Sequence, residues 1–116
     1  EKSFALREMV LMSGDLIHIA PGGLGTIQEI IGGLVGNKTE MTHKPILMVG
    51  SEYWEYIRKQ LIVSAKDRKI KSKHLKFLFT INSPEEGRAI LEKLYSEGRE
   101  EFLESKIQEW EEIINS

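Results

Sequence analysis

The chain has 116 residues, 41% of them hydrophobic and 29% charged, which suits one modest core and a single domain. Sixteen basic against 18 acidic residues leave a formal charge of −2, which argues against a general nucleic-acid binder or a partner of anionic membranes. With no cysteine there is no disulfide, thiolate metal site or cysteine nucleophile, and no apolar run approaches the roughly 20 residues of a bilayer-spanning helix.

In chain order, Ser3 to Met12 reads as a helix whose apolar residues are Phe4, Leu6, Met9, Val10 and Leu11. No strand precedes it. Doubly wound folds open with a strand, so a longer protein or another polypeptide is expected to supply the first strands. The start also lacks a basic region followed by an apolar one, and a cytoplasmic location is expected. Asp15-Leu16-Ile17-His18-Ile19-Ala20 reads as a buried strand and residues 26–35 as a helix. The polar stretch Gly36 to Lys44 is long enough to reach over the carboxyl edge of a sheet, where ligands of open α/β sheets bind.

Pro45 to Val49 and Lys76 to Ile81 read as strands whose apolar runs are continuous, as when helices cover both faces of a parallel sheet. A helix over 52–65 joins them. The basic stretch Lys66 to Lys76 reads as a solvated loop, with steering of an anionic nucleotide as the functional alternative. Ser83-Pro84-Glu85-Glu86 places an N-cap serine, a first-position proline and a third-position glutamate ahead of a helix over 84–95. The last helix, 98–114, carries Leu103, Ile107, Trp110 and Ile114 at coiled-coil-like spacing, suited to its own domain or to another subunit. The pattern predicts an α/β fold, a Rossmann-like doubly wound parallel sheet lacking its N-terminal strands in this chain. Residues 1–96 form half of a nucleotide-binding domain in this reading, and 97–116 an amphipathic C-terminal helix.

The segment richest in chemistry is Pro21-Gly22-Gly23-Leu24-Gly25-Thr26-Ile27-Gln28-Glu29, a glycine-rich turn between a strand and a helix. Unpaired N–H groups and the positive end of the helix dipole favour an anion there, and glycine lets the backbone approach it closely. Thr26 is placed to cap the helix or to donate its hydroxyl to a phosphate oxygen. Glu29 follows about one turn later, near the same mouth.

The string PGGxGTxxE, complete here at Pro21, Gly22, Gly23, Gly25, Thr26 and Glu29, resembles the signature of a known enzyme family. That family is the cytokinin riboside 5′-monophosphate phosphoribohydrolases, the "lonely guy" proteins, historically called lysine decarboxylase-like. The similarity extends over roughly residues 4–95 and covers the C-terminal half of the family fold. It implies a hydrolase that cleaves the N-glycosidic bond of purine or cytokinin nucleoside 5′-monophosphates, giving free base and ribose 5-phosphate without a cofactor. Gly22, Gly23, Leu24, Gly25 and Thr26 would hold the phosphate. Glu29 and Arg7 would be catalytic, the carboxylate beside the ribose and its attacking water, the guanidinium orienting substrate or stabilising the leaving base. Relatives build their sites near a dimer interface, so a homodimer or higher homo-oligomer is implied.

The alternative is a nucleotide-binding or sensing module that keeps the loop without hydrolysis. Glu29 favours the enzyme. Glu8 after Arg7, where the family carries a lysine, favours the alternative. His18, His43 and His74 have no metal-ligand spacing, and His18 reads as a partly buried strand residue. Tyr53, Trp54 and Tyr56 read as core packing rather than a base-stacking platform.

Overall fold

The computed structural model describes residues 16–39 and 44–116. Within them three strands, β1 (Ile17–Ile19), β2 (Ile46–Val49) and β3 (Leu78–Ile81), form a parallel sheet in the order β1-β2-β3. The helices are α1 (Leu24–Lys38), α2 (Glu55–Lys66), α3 (Pro84–Leu94) and α4 (Arg99–Ile114), with a short 3₁₀ turn at Ser72–Leu75. The α/β fold read from the sequence is present, a Rossmann-like sheet with fewer strands than a whole one. The helix expected over residues 3–12 lies outside the described residues.

Register explains why the strands read as unbroken apolar runs. Ile46 pairs with Leu78 and Leu47 with Phe79, so side chains of β2 alternate between two covered faces. One face holds Ile19, Ile46, Met48 and Leu78 against Ile30 of α1 and Trp54 and Leu61 around α2. The other holds Leu47, Phe79 and Ile81 against Leu91 and Leu94 of α3 and Leu103 of α4. His18 lies opposite Leu47 in the register but is exposed, not partly buried, because β1 is at the sheet edge, away from α3 and α4.

Helix α1 contains Gly32, Gly33 and Gly36, poor helix formers, so tertiary packing must hold it. Ile30 is fully buried, and the δ-methyls of Ile17 and Ile46 come within 3 Å of where a Cβ on Gly33 would stand, which lets the helix lie close on the sheet. It runs two residues earlier and three later than the apolar pattern predicts. Its extension corrects the expectation for the following connection. A crossover helix runs antiparallel to its strands, so the end of α1 and the start of β2 both lie at the amino edge of the sheet. The Asn37 carboxamide fixes this junction, donating to the Lys44 carbonyl and accepting from its N–H, each at 2.9 Å. The described ends of the connection, Gly36–Thr39 and Lys44, therefore lie at the amino edge rather than over the carboxyl edge, and residues 40–43 lie outside the described residues.

At α3 the sequence signal and the structure agree in detail. The Ser83 hydroxyl accepts from the Glu86 N–H at 3.3 Å, while Glu86 Oε2 takes the N–H of Asn82 at 2.8 Å, one residue before the cap rather than at it. Arg99, opening α4, donates to the Leu94 carbonyl at 3.2 Å and so satisfies the end of α3. The stripe on α4 packs on its own chain, with Ile107 left half-buried. Leu103 and Trp110 are buried, Ile114 packs on the core, Phe102 stacks on Phe79 at 5.9 Å, and the Arg58 guanidinium lies over the Trp110 ring.

The basic stretch begins as the end of α2, turns at Arg68 in the left-handed region (φ 63°) and continues into the 3₁₀ turn. The Arg68 and Lys69 N–H groups bond the Ala65 and Ser64 carbonyls, a Schellman-type stop. All of this lies at the amino edge, opposite the glycine turn, which removes local steering of substrate as its role. Burial first, then the charges of Lys38, Lys73 and Lys71, holds His74 below the usual histidine value, and its Nδ1 accepts the Lys71 N–H at 3.3 Å. The native state thus binds fewer protons here than the unfolded chain, so stability is complete above the unfolded value. It is lost as pH falls from about 6.5 through the lowered native value. Denaturant titrations between pH 7.5 and pH 5 should show this decline, and His74→Gln should flatten it; an unchanged slope in that variant would remove His74 as its source.

Candidate functional site

Because the three strands are parallel, their carboxyl ends open on one edge, at Ala20–Pro21, Gly50–Ser51 and Asn82–Ser83. The glycine turn occupies the first of these positions, between β1 and α1. Gly23 is the N-cap of α1, with no side-chain cap, and the first helical bond runs from the Ile27 N–H to the Gly23 carbonyl at 3.1 Å. The N–H groups of Leu24, Gly25 and Thr26 precede that bond and have no intrahelical acceptor. The first turn also contains no acidic residue, so the positive end of the dipole has no carboxylate of its own there.

Thr26 is the third residue of the helix, not its cap, because the helix starts two residues before the predicted boundary. Its hydroxyl lies against Gly22, where any Cβ would collide with it; this explains the glycine at position 22. Among the described residues no atom lies within 4 Å of where a Cβ on Gly23 or Gly25 would stand, so no described side chain crowds the outer side of the turn. Gly23, Leu24 and Gly25 are exposed, and Leu24 is 86% exposed. Glu29 is exposed and sits in the second turn of α1, three and four residues beyond Thr26 and Gly25, hence on their face. Arg7, the other sequence-predicted catalytic residue, lies outside the described residues, as does His43.

Beside the turn, the ends of β2 and β3 form an open cleft bounded by Ser51, Glu52, Tyr53 and Asn82. The Ser51 N–H donates to the Asn82 carboxamide oxygen at 2.9 Å, and the Gly50 N–H to the Ile81 carbonyl at 2.8 Å. The Tyr53 hydroxyl donates to the Gly22 carbonyl at 2.5 Å and so reaches the glycine turn from the neighbouring strand. The aromatic cluster therefore divides. Trp54 is core, 2% exposed, with an indole N–H that has no acceptor among the described residues. Tyr53 and Tyr56 are exposed, which corrects their reading as core. Sequence reasoning missed Tyr53 because its polar partner is 31 residues away; the available signal was that adjacent parallel strands end side by side.

The sequence matches the family described as "Possible lysine decarboxylase" over residues 2–91, a span that includes the glycine turn and all three strands. The chain belongs to that family. Its members are the lonely guy and lysine decarboxylase-like proteins, in agreement with the resemblance carried by Pro21 to Glu29. Neither a curated protein nor a solved structure matches the chain. Among the described residues no group of three His, Cys, Asp or Glu side chains is placed to hold a metal ion, and no helix is long and apolar enough to cross a membrane.

Proposed function

We propose that the chain is the phosphate-binding and catalytic half of a nucleoside 5′-monophosphate phosphoribohydrolase, acting on purine or cytokinin nucleotides. The observation that carries this reading is the complete PGGxGTxxE string at the β1–α1 turn, on the carboxyl edge, with no described atom within 4 Å of a Cβ at Gly23 or Gly25. The backbone N–H groups of the turn would take the 5′-phosphate, and Glu29, on the same helix face, the ribose side. Arg7 would act at the departing base.

The family's description names a different reaction, decarboxylation of lysine. A Schiff-base lysine would be needed near the ligand edge, yet the described residues of that edge, 20–24, 50–54 and 82–84, include no lysine. The lysines of the basic stretch lie at the opposite edge. The hydrolase reading is tested by incubating the protein with a panel of nucleoside 5′-monophosphates and separating the products by chromatography. Free base and ribose 5-phosphate are expected in equal amounts; intact nucleotide with measurable binding would favour the sensing module instead.

A homodimer or higher homo-oligomer belongs to the same proposal. Leu24, Ile27, Ile31 and Val35 recur along one side of α1 and are 86%, 37%, 46% and 54% exposed. That continuous apolar stripe begins at the glycine turn, so a second copy seated on it would adjoin the site. Light scattering at micromolar concentration should give at least twice the chain mass, and Ile31→Asp should reduce it. A monomeric mass with full activity would overturn the assembly.

A further inference from the structure

Tyr53 lies in the turn between β2 and α2, and several contacts hold that turn in place. Gly50 leaves β2 at φ 98°, a backbone conformation that glycine adopts readily, and its N–H is tied to Ile81 of β3. The Ser51 N–H is tied to Asn82, and the Trp54 N–H returns to the Gly50 carbonyl at 3.1 Å. The Tyr53 ring stands edge-on to Trp54, centroids 4.8 Å apart at 82°, and Trp54 is itself buried. An aromatic side chain fixed at its base in this way loses little further freedom when its hydroxyl binds the Gly22 carbonyl. Among the described residues this is the one side-chain hydrogen bond reaching the Gly22–Gly25 turn from another element.

The consequence follows from peptide planarity. The Gly22 C=O and the Gly23 N–H belong to one planar trans unit and point in opposite directions. Anchoring the carbonyl to Tyr53 therefore turns the Gly23 N–H away from the Tyr53 hydroxyl and fixes its direction. We infer that Tyr53 is a positioning residue for an anion. It fixes the peptide whose N–H would join those of Leu24 and Gly25 around a phosphate monoester. The inference rests on the phosphate reading of the turn and adds to it a residue that touches the turn rather than the reacting atoms. The ligand class is a 5′-phosphorylated nucleoside, held by its phosphate, with inorganic phosphate as its minimal probe.

Tyr53→Phe in the full chain keeps the ring against Trp54 and removes only the hydroxyl. Calorimetric titration should show affinity for AMP and for inorganic phosphate reduced about five- to tenfold, the size of one lost hydrogen bond to an oriented backbone group. In turnover assays KM for AMP should rise by a similar factor with kcat within about twofold, because the interaction is made equally in the ground and transition states. Wild-type affinities in Tyr53→Phe, or a loss confined to kcat, would overturn the positioning role. A wild-type chain that binds neither AMP nor phosphate would overturn the phosphate reading and this inference with it. Normal wild-type binding, unchanged in the variant, would overturn this inference alone.

Discussion

Gly23→Asp should abolish nucleotide binding in a protein that folds as well as the wild type or slightly better. The two halves of that expectation come from different properties of one position. Gly23 is the N-cap of α1, at φ −104° and ψ −144°, and a Cβ there meets no described atom within 4 Å. Aspartate is among the best N-caps and glycine is only slightly worse, so the helix should gain a few tenths of a kcal/mol. The same carboxylate would accept the N–H groups that a phosphate needs and place a negative charge where the phosphate belongs. Affinity for AMP should fall at least a hundredfold, the scale expected when an attractive charge-assisted contact becomes like-charge repulsion. Thermal unfolding and calorimetric titration on one preparation check both halves. Undiminished AMP affinity in the folded variant would show that the turn does not hold the phosphate.

Most of the fold was legible because its signals are local. The apolar runs at Ile46–Val49 and Leu78–Ile81 have only one economical explanation, strands buried on both faces, and Ser83-Pro84 marks its helix start by chemistry that acts within four residues. The beginning of α1 was less legible. Pro21, Gly22, Gly23 and Gly25 surround its start, and hydrophobic periodicity is silent where the helix presents Leu24 to solvent. The far end of α1 was missed for a related reason. Gly36 and Asn37 look like loop residues, yet Asn37 stays helical because its carboxamide takes both backbone groups of Lys44 across the chain.

The site divides in the same way. The Pro21 to Glu29 string displayed its glycines and its glutamate in sequence, since the turn and the helix are contiguous. Tyr53 was hidden, because its partner at Gly22 is brought near only by the pairing of β1 with β2. The stripe on α4 was visible as a stripe, but which surface it would cover depends on where α2 and the 3₁₀ turn lie, and no spacing within α4 contains that information. The apolar residues left exposed are instead on α1, the helix that carries the motif.

Glu29→Gln should leave nucleotide affinity nearly intact and reduce turnover by about two orders of magnitude or more, the effect of losing a principal acid–base or electrostatic group. Glu29 stands in the second turn of α1, about 9 Å along the helix axis from Gly23 at 1.5 Å per residue. Side chains on a helix lean toward its N-terminus, which brings the carboxylate back toward the mouth of the turn. A phosphate seated on the turn would leave the ribose of a 5′-monophosphate within reach of that carboxylate, where positive charge develops as the glycosidic bond breaks. Glutamine preserves the side-chain volume and one hydrogen-bond acceptor but cannot accept a proton from water or stabilise that charge electrostatically. Glu29 is exposed and packs in neither apolar core, so the substitution should not disturb folding. The decisive comparison is therefore kcat for release of free base against AMP affinity, measured in the same variant. Wild-type release by Glu29→Gln would refute the assignment. A wild-type chain that binds AMP and releases no base would instead identify the turn as a nucleotide sensor, in which Glu29 has no bond to break.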